Sequence, residues 1–239
     1  MAGDVSKWLH DLLHGMKEKK CFICGEYIRT SYYSDHNGHY ACGNHDVGTC
    51  FVCLSICDKK NSINVPNYGL ICPECTKKNI DENLALRLIQ YVNNFYIKLG
   101  MSFPGHKLYL VSIDEMNKRI DEGDSALGLA YNNYDGIYRI CVLKHLSKIA
   151  FAGVFAHEIL HLWQYGKQIN APKHICEGFC NLGKYLVLST INKEEAKLRI
   201  SGMLSDPDPI YGEGFRIVKE VYDKTGWNGV INMMKQYKV

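Results

Sequence analysis

The sequence predicts an α+β fold in which a small cysteine-rich module precedes a larger domain of mixed helices and strands. Eight of the eleven cysteines lie within the first 75 of the 239 residues. Beyond them, long stretches with helical apolar spacing alternate with short apolar runs, which is the pattern of helices mixed with strands. We expect three segments: an amphipathic N-terminal helix over 1–20, the cysteine module over 21–80 and the larger domain over 81–239.

Composition and charge exclude several classes of protein. A hydrophobic fraction of 46% with 22% charged residues is typical of a chain that buries a core, which argues against disorder. The net charge of +3 does not favour nucleic acid, which usually requires a clustered basic face. No apolar run reaches 18 residues, so we expect no membrane span, and residues 1–20 lack the apolar core of a secretory signal. These features predict a cytoplasmic protein with reduced cysteines.

The N-terminal segment has the spacing of a short amphipathic helix. Its lysine-rich end over 17–20 suits a helix C-terminus. We expect this helix to dock on the rest of the chain, and the alternative is a helix that binds a partner. The apolar positions are Val5, Trp8, Leu9, Leu12, Leu13 and Met16.

Four short motifs in the cysteine module each place two metal-binding side chains three positions apart. Three are C-x2-C pairs and one is C-x2-H. Each such knuckle supplies half of a tetrahedron, so two knuckles complete a closed zinc site, which is structural because no position stays open for a substrate. The predicted ligands are Cys21, Cys24, Cys42 and His45 for the first structural zinc, and Cys50, Cys53, Cys72 and Cys75 for the second.

The histidine of the first site has rivals. His36 and His39 lie close enough in the chain to replace His45, and His39 also forms a knuckle with Cys42. We favour His45 because the same spacing then holds in all four knuckles. Cys57 fits neither site and is expected to be a packed thiol. A module of this size builds little apolar core, so metal binding must supply much of its folding free energy.

The larger domain has helical and extended segments in alternation. The segment after Ser147, a predicted N-cap, is apolar on most helix faces and so predicts a buried helix. The last strand, over 137–143, is expected at a sheet edge, where an extended peptide could pair with it. The predicted elements are a helix over 81–99, strands over 107–113, 126–131 and 137–143, and helices over 148–165 and 173–188.

The buried helix carries the motif His157-Glu158-Ile159-Leu160-His161. Positions i and i+4 share a helix face, so both imidazoles can bind one zinc ion, and Glu158 can reach a metal-bound water as general base. Because two buried histidines and a buried glutamate require a compensating charge, a cation is expected among them.

The third ligand is expected from the next helix. Glu177 on its inward face would complete a His₂Glu site that leaves a fourth position for water, which is typical of catalytic zinc. His174 is the rival, near the start of that helix. Cys176 and Cys180 flank the site, but a ligand set that includes cysteine would be closed and poorly suited to catalysis, so these thiols and Cys141 are expected to stay free.

A donor for the oxyanion of a tetrahedral intermediate is also required for hydrolysis. Tyr211 follows a polar break at 205–209 and lies on a glycine-flanked turn that enters a helix, which suits a phenol that leans into a cleft. Arg216 is the second candidate. The alternative for Tyr211 is that it only packs the turn.

The two halves together resemble a known family. The HExxH motif followed by Glu-Gly-Phe resembles the gluzincin metallopeptidases, and the whole pattern is similar to the ubiquitin-activated LIM-type peptidases of plants and their bacterial relatives. The likeness covers roughly residues 21–228. It rests on the four knuckles, Asn94-Phe95-Tyr96, the stretch Ala156 to Trp163, Glu177-Gly178, Ser205-Asp206 and the stretch Tyr211 to Arg216.

The resemblance implies a gluzincin-like peptidase domain behind a two-zinc module that resembles a LIM domain or a zinc ribbon. In it, His157, His161 and Glu177 hold the catalytic zinc, Glu158 activates water, and Tyr211 and Arg216 lie near the cleft. Residues 1–20 lack the acidic run of a ubiquitin-interacting motif, and only the second, divergent LIM module has a counterpart here. Activation by ubiquitin is therefore not implied.

The sequence thus predicts a zinc-dependent endopeptidase that binds one catalytic and two structural zinc ions. Its expected partners are a protein or peptide substrate and a protein bound by the zinc module, with neither nucleic acid nor membrane. The alternative is a non-catalytic adaptor whose zinc module mediates protein–protein interaction. Substrate preference and oligomeric state do not follow from the sequence.

Overall fold

The chain divides into two compact units, which a computed structural model describes over residues 19–29, 31–133 and 135–239. The first unit ends at Pro73 and the second begins at Glu74. The helix predicted over residues 1–20 falls outside the described residues, apart from its last two positions. Among the described helices, none combines the length and apolar character that a bilayer crossing requires.

The first unit is built from three antiparallel hairpins with strands of three residues each. Cys21, Ala41 and Cys42 form a small buried cluster, on which four partly buried apolar side chains pack. The other buried apolar side chains among the described residues of this unit are Cys50, Val52, Cys57, Ile71 and Cys72, so cysteines make up much of its interior. The hairpins pair β1 (Tyr32–Ser34) with β2 (Tyr40–Cys42), β3 (Val47–Thr49) with β4 (Ile56–Asp58), and β5 (Ile63–Val65) with β6 (Gly69–Ile71).

Helices and strands alternate from Pro73 onward. The helices predicted over 81–99, 148–165 and 173–188 are confirmed with small changes at their ends, whereas the short helix after Ser112 and the helix over 194–205 were not predicted. The elements are α1 (Pro73–Thr76), α2 (Glu82–Lys98), β7 (His106–Val111), α3 (Ile113–Asn117), β8 (Gly128–Asn132), β9 (Tyr138–Leu143), α4 (Lys148–Lys167), α5 (Lys173–Ser189), α6 (Glu194–Ser205) and α7 (Gly212–Lys235).

The sheet of the second unit corrects one prediction. Its strand order is β7-β9-β8, with β9 parallel to β7 and antiparallel to β8. The strand predicted at the edge, over 137–143, is therefore the central strand, and β7 and β8 form the edges. Four consecutive buried residues over 140–143 explain this position, because a central strand covered by helices loses the polar alternation of an edge strand.

Helix α4 is the centre of the second unit. It begins at Ser147, whose hydroxyl oxygen accepts a hydrogen bond from the Ala150 N–H at 3.0 Å, as the predicted N-cap requires. Phe155, Ile159 and Leu160 are fully buried. The helix packs against α5 and α2 and against strands β8 and β9, while α5 also packs against α7. Both HExxH histidines are thus held on an element enclosed by helices and sheet.

Two glycines set the crossing of α5 and α7. A Cβ atom at Gly178 would lie 2.2 Å from the carbonyl oxygen of Gly214, and one at Gly214 would lie 2.1 Å from that of His174. Real Cβ atoms do not approach a backbone oxygen so closely, so both positions require glycine. The crossing brings the start of α7, with Tyr211 just before it, beside the first half of α5.

We expect Gly178→Ala to lower the free energy of unfolding of the second unit by about 1–3 kcal/mol or more, because the added methyl group forces α5 and α7 apart. The fluorescence of the buried Trp163 and Trp227 during urea denaturation measures this change. The control is Gly202→Ala in α6, where the new methyl group meets nothing within 4 Å. Alanine there should be neutral or stabilising by up to about 1 kcal/mol. Equal stabilities of the two variants would contradict the role of the crossing.

Candidate metal centres

Three groups of side chains could hold a metal ion among the described residues. Two are the predicted cysteine clusters of the module. The third joins His157 and His161 of α4 with Cys180 of α5. Within each group, the candidate ligand atoms lie within 4.8 Å of one another.

The first cluster joins Cys21, Cys24, Cys42 and His45. The Nε2 atom of His45 is buried and has no hydrogen-bond partner among the described residues, which fits a nitrogen that binds a metal. Of its two rivals, His36 lies outside the group although its Nδ1 is also buried and unpaired, and His39 is engaged elsewhere. Its Nδ1 lies 2.9 Å from a carboxylate oxygen of Asp35, and its ring stacks on Phe22. The geometry therefore groups the cysteines with His45.

The second cluster joins Cys50, Cys53, Cys72 and Cys75. Cys57 belongs to neither cluster and is buried in β4, where burial raises the pKa of its thiol. This placement agrees with the expectation of a packed thiol.

The first knuckle of each cluster has the same local geometry. The N–H of Gly25 donates to the carbonyl oxygen of Cys21, and the N–H of Leu54 donates to that of Cys50, both at 2.8 Å. Gly25 and Leu54 both adopt positive φ, which closes the turn. A backbone N–H of the second knuckle then donates to the first sulfur at 3.4 Å in both clusters. Such donors favour a thiolate. Burial raises the pKa of the Cys21 thiol, but hydrogen bonds from backbone N–H groups outweigh burial and lower the pKa to about 6.

We expect His45→Ala to remove one tightly bound metal ion from the chain, because it deletes a ligand of the first cluster. His39→Ala, the matched control, should keep the full metal content because its imidazole pairs with Asp35. Metal content per chain after dialysis, measured by mass spectrometry of the native protein, distinguishes the two. Loss of the ion from His39→Ala with retention in His45→Ala would reverse the assignment.

The two histidines of the third group lie beside Glu177, the third ligand predicted from the sequence. The Nε2 atoms of His157 and His161 lie 3.1 Å apart. One carboxylate oxygen of Glu177 lies 3.1 Å from the first of these nitrogens and 3.5 Å from the second. A tetrahedral zinc ion with ligand distances of about 2.0–2.1 Å holds its ligand atoms about 3.3 Å apart. The spacing of the three atoms therefore fits one small divalent cation.

Two buried amides orient the histidines, and the sequence analysis did not find them. The Nδ1 atom of His157 lies 3.0 Å from the Asn181 side-chain oxygen, and that of His161 lies 3.0 Å from the Gln164 oxygen. The amide NH₂ groups donate in turn to the backbone carbonyl oxygens of Tyr211 and Cys176, which fixes the oxygens toward the rings. Both imidazoles therefore carry a proton on Nδ1.

With Nδ1 protonated, each neutral ring presents the lone pair of Nε2 to the site. Two nitrogen lone pairs and a carboxylate oxygen then converge at about 3 Å, and they repel one another unless a positive charge lies between them. Burial raises the pKa of Glu177, but the imidazoles of His157 and His161 beside it hold that pKa well below its usual range, so the carboxylate is charged. The donor set thus fits a cation.

Glu158 lies on α4 beside the start of β8. Its side chain is almost completely buried. A Cβ atom at Gly128 would lie 2.8 Å from a carboxylate oxygen of Glu158 and 2.5 Å from a methyl carbon of Val154, so glycine is required where the edge strand crosses α4. The predicted base is therefore held next to the backbone of an edge strand.

The structure places Tyr211 near the site and Arg216 farther along the turn. Tyr211 is partly exposed; burial raises the pKa of its phenol, and the charges of Glu177, His161 and Glu158 act on it. The guanidinium of Arg216 donates to the carbonyl oxygen of Asp206 at 2.6 Å. None of the described contacts joins Arg216 to the histidines or to Glu158, so its observed contact supports the turn before Tyr211.

His174, the rival third ligand, belongs to none of the three groups of described residues, and the flanking thiols are engaged in other contacts. The Cys176 thiol donates to the carbonyl oxygen of Ala171. The Cys180 sulfur lies 3.4 Å from Nδ1 of His161, on the opposite side of the ring from Nε2. Cys180 is grouped with the two histidines by distance, but burial raises the pKa of its thiol to about 12, which disfavours a thiolate ligand. We therefore assign Glu177 as the third member of the set.

The chain matches no protein-family model, no curated protein and no solved structure. The interpretation of the third group accordingly depends on the geometry of its own residues.

We expect Asn181→Leu to weaken metal binding at the third group by about 10- to 100-fold, because the His157 ring loses its orienting acceptor. Competition with a chromophoric chelator measures the affinity. Asn181→Asp, which keeps an oxygen facing Nδ1, should retain most of it. Equal affinities of Asn181→Leu and the unmodified protein would contradict an orienting role for this amide.

Proposed function

We propose that the protein is a zinc-dependent endopeptidase of the HExxH type with a glutamate third ligand. The observation that carries the proposal is the convergence of three acceptor atoms, from His157, His161 and Glu177, beside the buried carboxylate of Glu158. Two nitrogens and one oxygen in a tetrahedral arrangement suit zinc among the common divalent ions. Three protein ligands leave a fourth position for water or substrate.

The residues of the site would divide the chemistry among them. A zinc ion held there supplies a Lewis acid that polarises the scissile carbonyl and lowers the pKa of water. Glu158 accepts a proton from the attacking water and later delivers it to the leaving amine. The Tyr211 phenol donates a hydrogen bond to the carbonyl oxygen as negative charge develops on it. Asn181 and Gln164 keep both imidazoles facing the site throughout.

An extended peptide would bind along β8. This strand is an edge of the sheet, and its first residue lies against Glu158. Backbone pairing with an edge strand holds a peptide in an extended conformation, and this pairing does not depend on most of the peptide's side chains. The substrate strand predicted from the sequence was β9, but β9 is paired on both sides, so β8 replaces it in this proposal.

The surface of the cysteine module supports a second role, the binding of another protein. Four of its aromatic side chains are each at least 44% exposed, whereas aromatic side chains in folded proteins are usually at least partly buried. Aromatic rings are enriched where proteins bind one another. The module would present a substrate or a regulator to the second unit, and in the adaptor alternative this would be its only role. The four residues are Phe22, Tyr27, Tyr32 and Tyr33.

We expect Glu158→Gln to keep the metal content of the third group but to lose peptide cleavage, because the amide cannot accept the proton from water. Glu177→Ala should lose both, since it removes a ligand. Glu194→Gln, which changes an exposed glutamate at the start of α6, is the control and should cleave normally. New peptide termini in a whole-cell lysate, mapped by mass spectrometry, report cleavage. Full activity of Glu158→Gln would refute the peptidase, and only two bound metal ions per chain would favour the adaptor.

A further inference from the structure

A cavity of about 200 Å³ lies next to the proposed catalytic site. It shares Asn181 and Tyr211 with that site. The volume is far above the roughly 15 Å³ that a single water requires, so the cavity can accept a side chain or a chain terminus. The remaining lining residues are Lys184, Met203, Asp206 and Phe215.

The cavity continues the face of α5 that carries the proposed metal ligand. Glu177, Asn181 and Lys184 are spaced four and three residues apart, which places them in one row along the helix. Glu177 meets the histidines, and Asn181 joins His157 to the backbone of Tyr211. Lys184 comes next in the row and lines the cavity.

The ammonium group of Lys184 forms no hydrogen bond or ion pair with any described residue. Other lysines of this unit, such as Lys219 with Asp223, do pair with carboxylates. Burial lowers the pKa of Lys184 to about 8, and the charge of Arg199 lowers it as well. An unpaired cation that is partly withdrawn from water is costly and favours an anionic ligand.

Two of the other polar side chains of the cavity are at least partly engaged. Both ends of the Asn181 amide are hydrogen-bonded. One carboxylate oxygen of Asp206 accepts the N–H of Asp208 at 2.9 Å. Asp206 acts on Lys184 only at longer range, where its charge helps to keep the amine protonated. Lys184 is therefore the cationic group of this lining, and it is unpaired among the described residues.

We propose that this cavity is a substrate subsite in which Lys184 binds a carboxylate close to the scissile bond. The proposal rests on the peptidase function. The carboxylate belongs either to an aspartate or glutamate side chain or to the C-terminus of the peptide, and both present the same chemistry to an ammonium group. A charge-assisted hydrogen bond of this kind favours the acidic peptide over its neutral amide by about 10- to 100-fold.

Cleavage of degenerate octapeptide pools, read by mass spectrometry, tests the subsite. The unmodified protein should prefer peptides with an acidic residue or a free C-terminus at a fixed number of residues from the cleaved bond. Lys184→Met should lose that preference, Lys184→Arg should keep it, and Lys184→Glu should shift it toward basic residues. Lys197→Met, at a lysine exposed on α6, is the control and should match the unmodified protein. A preference for acid that survives in Lys184→Met would overturn the proposal.

Binding to the zinc-loaded Glu158→Gln variant separates the two sources of the carboxylate and does not require turnover. The probes are fluorescein-labelled octapeptide pools with glutamate or glutamine fixed at one position, each made with a C-terminal acid or amide. If the glutamine pool has a Kd at least 10 times that of the glutamate pool, the carboxylate comes from a side chain. If the C-terminal amide has a Kd at least 10 times that of the C-terminal acid, the carboxylate is the C-terminus. Either ratio should fall to about 1 when Lys184→Met is added.

Failure of the subsite and failure of the peptidase give different results. Charge-dependent binding without cleavage by the unmodified protein would refute the peptidase and retain the carboxylate site. Cleavage with no charge preference, together with Kd ratios near 1 for both pairs of pools, would refute the carboxylate site and retain the peptidase.

Discussion

The convergence of three acceptor atoms is the constraint on which the second unit depends. Two imidazole nitrogens and a carboxylate oxygen lie within 3.1–3.5 Å of one another in a site almost closed to solvent. Such an arrangement is stable only around a positive charge. The packing of α4 against α5 brings the atoms together, and the buried amides of Asn181 and Gln164 prevent the rings from turning away. Helix packing, second-layer hydrogen bonds and metal chemistry therefore support one another.

The two units reach stability by different means. The first has strands of three residues and a small apolar cluster among its described residues, so the metal-binding side chains that it contributes over 21–72 are expected to take the place of a core. The second has an almost fully buried central helix and requires no metal to explain its packing. A chelator should therefore affect the fold of the first unit most, and the chemistry of the second.

Close backbone approaches determine where the proposed reaction can occur. Gly178 and Gly214 let α5 and α7 cross without side chains between them, which places Tyr211 and Lys184 around Asn181. Gly128 lets the edge strand β8 touch Glu158. The proposed base, the proposed oxyanion donor, the peptide-binding edge and the carboxylate subsite thus surround one set of metal ligands.

Local features could be predicted from the sequence because they depend on neighbours in the chain. The helical period places His157 and His161 on one face, the x2 spacing forms each knuckle, and Ser147 begins α4 as a cap. The capping box of Ser112 and Glu115, which starts α3, is equally local but was overlooked. The i+3 and i+4 positions that Gln164 and Asn181 occupy after His161 and Glu177 were also visible in the sequence.

Only the tertiary structure decided the contacts between distant segments. It places β9 in the middle of the sheet, and it pairs His39 with Asp35 while His45 lies with the cysteines. It also directs Arg216 to the backbone of Asp206 and leaves Lys184 without a partner in a cavity. The physical reason is that a periodic pattern defines which face of an element is apolar. What that face meets depends on packing between elements far apart in the chain.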